Sequence, residues 1–163
     1  MAVGFLDFSN KHTVAESTNL LATHYGDHIY NIKLGADRDN GVIVGKGAYV
    51  ENDVYAEAAP SNTFAGVILE QAANGSWVVE VTKAADGDLL VLQVPESPYE
   101  FETEARAERQ FYNKKDDIVR AYQLRYGDKF TISNGGFTTT PTTTSIGKTV
   151  TVNATSKKLV IGS

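Results

Sequence analysis

Three histidines, His12, His24 and His28, sit near the start of a 163-residue chain that has no cysteine and one methionine. His24 and His28 are four residues apart, the spacing at which two imidazoles on one helix face can share a metal. Gly26 stands between them and ends such a helix, so His24 reads as a cation at a helix C-terminus, favoured by the dipole. Asp37-x-Asp39-x-Gly41 begins like a calcium loop, in which alternate carboxylates converge on a hard cation. The twelfth place, which needs a bidentate glutamate, holds Ala48, and the segment reads as a turn. Gly147-Lys148-Thr149 imitates the end of a phosphate-binding loop, but Thr142 occupies the position of the required earlier glycine. Glu96, Glu100, Glu102, Glu104 and Glu108 contain enough carboxylates for a glycosidase pair, yet arginines interleave them as on a solvated face. The nine serines include none in a nucleophile-elbow context. Trp77 with Tyr49, Tyr55 and Tyr99 offers a sugar-stacking platform, although a tryptophan inside Trp77-Val78-Val79-Glu80-Val81 more commonly packs into its own core. No catalytic, cofactor or metal set emerges, and the expectation is a protein that is not an enzyme.

The totals narrow the partners. A chain of 17.7 kDa buries roughly 69% of its unfolded surface by area scaling, so one core or two small lobes both suffice. A net charge of −5 and a pI near 5.2 leave no basic footprint for nucleic acid. No apolar run approaches the ~20 residues of a bilayer span, and residues 1–10 lack the basic start and apolar middle of an export signal. The expectation is therefore a cytoplasmically made protein that binds neither nucleic acid nor membrane. Without cysteine, stability must come from packing or from neighbouring subunits.

The elements that must position these residues are mostly strands. Thr13-Val14-Ala15-Glu16 has the form of a capping box, and Val14, Thr18, Leu21 and Tyr25 follow at helical spacing, which predicts a short helix over residues 14–24. Residues 1–12 ahead of it, with Phe5, Leu6 and Phe8, read as an arm that must dock on something. From Ile29 the period becomes two. Asp37 to Gly41 reads as a hairpin turn on Asn40-Gly41, and further turns are expected at Gly45–Gly47, Glu51–Asp53, Pro60–Asn62, Ala73–Gly75 and Ala85–Gly87. Turns at this interval between β-branched runs predict a mainly β fold of small sandwich or barrel lobes with a short N-terminal helix. The expected organisation is an arm with helix (residues 1–28), a first β lobe (29–95), a linker (96–110) and a second β lobe (111–163). The last of these contains a threonine-rich run, with eight Thr among residues 137–151, and ends on a strand that needs a sheet edge to pair with.

Two stretches together carry a family resemblance. Asp39-Asn40-Gly41-Val42-Ile43-Val44-Gly45-Lys46-Gly47, followed by Asp53-Val54-Tyr55 and Phe64-Ala65-Gly66-Val67, resembles the first half of small structural proteins of tailed-bacteriophage heads. Leu92-Gln93-Val94-Pro95-Glu96, Phe111-Tyr112-Asn113, Ile118-Val119-Arg120-Ala121-Tyr122-Gln123-Leu124, Gly127-Asp128-Lys129-Phe130-Thr131-Ile132-Ser133 and Thr139-Thr140-Pro141 are similar to the second half. The resemblance covers residues 39–141 and none of residues 1–35. It implies a capsid decoration or head-fibre-base protein: a late, non-enzymatic virion component on the outer capsid surface. It would bind the major capsid protein and sister subunits as a homo-oligomer, a trimer being one arrangement that follows local threefold axes. Phe5, Leu6 and Phe8 are then the candidate partner-binding residues. A tail-tube or neck protein, and a glycan-binding β module built on Trp77, are the alternatives.

Overall fold

The computed structural model describes residues 12–25, 28–93 and 112–162. The chain runs β1 (Ala15–Asn19), α1 (Leu21–Tyr25), β2 (Ile29–Lys33), β3 (Ile43–Glu51), β4 (Val54–Ala58), β5 (Ala65–Gln71), β6 (Trp77–Lys83), β7 (Asp88–Val91), β8 (Ile118–Gln123), β9 (Lys129–Ile132), β10 (Thr149–Val152) and β11 (Leu159–Ile161). The fold is mainly β, as the alternating periodicity predicts. Five strands close a barrel in the order β2-β4-β3-β7-β8, and six form an open sheet in the order β1-β9-β6-β5-β10-β11.

These two units do not follow the expected division along the chain. The segment expected to form the first lobe sends β2, β3, β4 and β7 to the barrel but β5 and β6 to the sheet, and β8 returns from the second segment to close the barrel between β7 and β2. The reason lies in strands with two buried faces. In β7 all four residues are buried, as are Ile43, Val44 and Gly45 of β3. Successive side chains point to opposite faces. Val44, Leu89 and Val91 accordingly fill the barrel with Ile32, Leu34, Val42, Val119 and Ala121, while Ile43 and Leu90 point outward into a second core with Phe64, Ile68, Trp77, Val79, Phe130 and Ile132 of the sheet. The barrel wall is thus one side of the sheet's core, and separate lobes would expose both.

Three local expectations are corrected. The helix expected over residues 14–24 survives only as α1, because residues 15–19 form a strand on β9, with Ala15 opposite Ile132 and Ser17 opposite Phe130. Thr13 does not cap a helix; its Oγ donates to Asp39 Oδ2, 3.2 Å away. Asn40-Gly41 does not close a tight hairpin, since β2 pairs with β4 and β8 and not with β3. The Asn40 side chain is buried instead, donating to the Gln93 carbonyl (2.9 Å) and accepting from the Gln93 N–H (3.0 Å). Gly45-Lys46-Gly47 is strand, not turn. A Cβ on Gly47 would come within 2.5 Å of the Ala56 carbonyl oxygen of β4, so glycine here lets two backbones approach where the β3–β4 register shifts. Other expected turns hold: Asn52 and Asp53 take positive φ in the β3–β4 hairpin, and Gly75 and Gly87 do so in their own turns; Gly127, between β8 and β9, also takes positive φ.

Buried carboxylates organise the loops. Asp88, almost fully buried, accepts hydrogen bonds from the Ser61 N–H (2.8 Å), the Ser61 hydroxyl (2.7 Å) and the Ala85 N–H (2.9 Å). Asp128 accepts from the N–H groups of Leu21 and Arg125. One buried cation stands among such groups. Lys157, with positive φ and its ammonium donating to the Ala154 carbonyl, has its pKa pushed below the ordinary 10.5 by burial; Glu57 opposes that shift and Arg38 adds to it. Between the depressed folded pKa and 10.5 the unfolded chain binds more protons than the native one, so this group's contribution to stability rises with pH across that window. Subtracting denaturation midpoints of Lys157→Met from those of the parent chain should isolate an increment that grows with alkaline pH; a flat difference would remove the burial penalty from the account.

Candidate interaction surface

Among the described residues no group of three or more His, Cys, Asp or Glu side chains is placed to hold a metal ion. Asp37 and Asp39, the carboxylates of the calcium-like segment, are engaged elsewhere. Asp37 Oδ1 accepts from the Lys115 N–H at 2.8 Å, and Asp39 accepts from His12 Nδ1 at 2.7 Å and from the Thr13 N–H at 3.1 Å. Gly147-Lys148-Thr149 leads into β10, not a helix, and the Gly147 N–H donates to the Ile68 carbonyl at 2.7 Å, so this loop is committed to the sheet. The acidic series from Glu96 to Glu108 and the partner-binding candidates Phe5, Leu6 and Phe8 lie outside the described residues.

The structure brings together a constellation that sequence reading missed. His12, Asp37, Arg38, Asp39, Tyr112 and Ser156 line a recess of about 400 Å³. His12 stacks on Tyr112 with ring centroids 4.8 Å apart, and its Nδ1–H donates to Asp39. An aspartate-oriented histidine with a serine nearby has the composition of a hydrolytic relay. The geometry does not complete one: His12 Nε2 is buried without a hydrogen-bond partner, and the Ser156 hydroxyl accepts from the Lys158 N–H instead of facing the imidazole. What the cluster does is mechanical. Three donors from His12 and Thr13 converge on one carboxylate, and the Val14 N–H reaches Ser133 Oγ, so the chain is pinned to the body at residues 12–14. Beside it, Arg38 donates through Nε (3.1 Å) and Nη2 (2.8 Å) to Glu57 Oε1, while the Gly35 N–H donates to Glu57 Oε2.

The sugar-stacking platform is corrected. Trp77 is 2% exposed, and its indole N–H donates to Asn134 Oδ1 at 2.8 Å. Such a ring cannot present a face to a glycan. Of the described aromatic residues Tyr126, in the turn between β8 and β9, is the most exposed, and a group of three tyrosines stands on the barrel. Tyr49, 60% exposed near the tip of the β3–β4 hairpin, meets Tyr55 edge to face (5.5 Å), and Tyr55 meets Tyr30 in the same way (5.8 Å). The Lys46 ammonium rests over Tyr30 and Tyr55 at 4.4 and 4.3 Å. Val50 is exposed next to Tyr49, and the exposed turn beyond them, Glu51-Asn52-Asp53, is polar.

Among the described residues two edge strands complete the surface. β1 and β11 are the outer strands of the six-stranded sheet, and β1 is exposed along most of its length. The β11 edge is partly blunted, since Leu159 bridges Phe137 and its carbonyl accepts from the Thr138 N–H. Among the described strands β1 pairs only with β9, and it follows directly on the His12–Asp39 pin. No described helix is long and apolar enough to cross a membrane. No family model, no curated protein and no solved structure matches the chain.

Proposed function

We propose that this chain is a non-enzymatic virion structural protein that decorates and stabilises a bacteriophage capsid by binding the major capsid protein and sister subunits. The observation that carries the reading is the construction of the N-terminal edge. The described chain opens on a carboxylate-pinned anchor, His12 and Thr13 on Asp39, and passes at once into the exposed strand β1; Phe5, Leu6 and Phe8 precede that anchor in the sequence. An apolar segment of sequence directly ahead of an edge strand suits strand addition and apolar docking on a neighbouring subunit. The buried carboxylates suit the same reading, because Asp88, Asp128 and Glu57 accept from backbone N–H groups, the Ser61 hydroxyl and Arg38 and so serve to hold loops in place. A ligand that binds only the assembled shell stabilises it by mass action, which is all the mechanism such a protein requires.

The test removes the arm but keeps its anchor. Since His12 bonds to Asp39, truncation should stop at residue 11. The shortened chain is expected to keep its melting transition and to lose its place on purified particles, read by mass spectrometry as copies per major shell protein. Full occupancy after truncation would overturn the role of the arm. Rings formed by the purified protein alone would redirect the reading to a tail tube or neck.

A further inference from the structure

At one mouth of the barrel, where β2 begins and β8 ends, His28, Tyr30, Lys46, Gly47, Asp86, Gly87, Gln123 and Arg125 line a second recess of about 460 Å³. Barrel mouths are common places for small-ligand sites, and this volume falls in their usual range. The floor is rigid. Gln123 is buried, its amide donates to the carbonyls of Ala85 (3.0 Å), Asp88 (3.3 Å) and Leu124 (2.9 Å), and its Oε1 accepts from the Gly87 N–H (2.8 Å).

The walls are cationic in a chain of net charge −5. Lys46 has no carboxylate partner among the described residues; the faces of Tyr30 and Tyr55 orient its ammonium, which leaves its charge uncompensated. Arg125 uses one nitrogen, Nη1, on Asp86 at 2.6 Å, and the other guanidinium donors have no partner among the described residues. The Asp86 side chain is 88% exposed, so that ion pair is of the screened, readily exchanged kind. Gly87, at φ 93°, can be replaced only with strain, and as a lining residue it adds no side-chain bulk to the recess. His28 stands at the rim in a left-handed backbone conformation, held there by the Gln123 N–H on its carbonyl.

We propose that this recess is an oxyanion-binding site in which Lys46 and Arg125 together hold a carboxylate, sulfate or phosphate group of a small ligand. The fork of Arg125 supplies the planar recognition and Lys46 the point charge. The site does not depend on the virion reading and would operate in any assembly that leaves the barrel mouth open.

Titration of the labelled full-length protein with citrate, glucuronate and inorganic phosphate, each against glucose as the neutral control, tests it by amide chemical shifts. Saturable shifts are expected at Gly47, Gly87 and Gln123 with at least one anion and not with glucose, weakening as salt is raised. The ranking of the three anions separates a carboxylate-bearing sugar from a phosphate group. Lys46→Met and Arg125→Gln should each weaken binding about tenfold, while Lys148→Gln, which removes an exposed cation of the sheet, should leave it unchanged. If Lys46→Met fails to fold, Arg125→Gln decides alone, because its guanidinium is surface-lying. Non-saturable shifts, equal response to glucose, or binding indifferent to Arg125→Gln would overturn the proposal.

Discussion

Trp77→Ala is expected to destabilise the protein by about 3–5 kcal/mol, read as a collapse of the denaturation midpoint with loss of near-ultraviolet signal. The ring is the largest fully buried side chain, set opposite Ile132 of β9 and Gln71 of β5 in the middle of the sheet. Truncation removes its packing against the second core and also orphans Asn134 Oδ1, whose turn follows β9 directly. Trp77→Phe separates the two losses. It keeps most of the apolar volume and forfeits the hydrogen bond, so it should cost about 1–3 kcal/mol. If Trp77→Ala folded with parental stability and lost affinity for a glycan, the buried position of the ring would be wrong and the stacking reading would return.

The same residue shows where sequence reading succeeds. Trp77 to Val81 alternates buried and half-buried positions as period-two reasoning requires, and the turns at Gly75, Gly87 and Gly127 carry the positive φ that makes glycine the natural choice. These are local constraints, visible in a few neighbouring residues. The failures are all long-range. Thr13 to Glu16 satisfies every local rule for a helix start, but Ser133 and Thr131, more than 110 residues away, bond to Val14 and Thr18 and turn the segment into a strand. Asn40-Gly41 looks like a hairpin until Gln93 and Asn113 are seen to bond the asparagine. Gly45 and Gly47 look like turn residues because the alternative reason for glycine, another strand's backbone lying against them, belongs to β4 and its register. The interleaving of barrel and sheet is a fact of the same kind. Doubly buried β7 reads only as an apolar run, and nothing in four residues says that its two faces serve different cores. The candidate surfaces were less legible: the His12–Asp39 pin and the placing of Lys46 and Arg125 around one recess exist only in three dimensions.

Glu57→Ala should be comparably severe, at about 3–5 kcal/mol, because it breaks a buried ion pair from one side. Glu57 has a side chain 5% exposed and Arg38 one 16% exposed, and the single carboxylate ties together the Arg38 guanidinium and the Gly35 N–H. Removing it strands the guanidinium in a half-dry site. It also frees the loop between β2 and β3, which carries Asp39 and so the pin on His12. Arg38 itself reaches the Thr155 carbonyl and pairs its backbone with Asn113, so the loss would spread to the turn before β11. The double variant Arg38→Met with Glu57→Leu is the informative comparison. If the penalty of Glu57→Ala is that of a buried unpaired charge, replacing both partners by apolar groups of similar size should recover a large part of it, since buried pairs often contribute little net stability. A double variant as unstable as Glu57→Ala would instead locate the loss in the backbone tie to Gly35. Glu57 stands opposite Lys46 in the β3–β4 register, so the amide signals of Gly87 and Gln123, which belong to other segments of the mouth, distinguish a loosened loop from a disordered fold: they should keep their parental positions in the double variant.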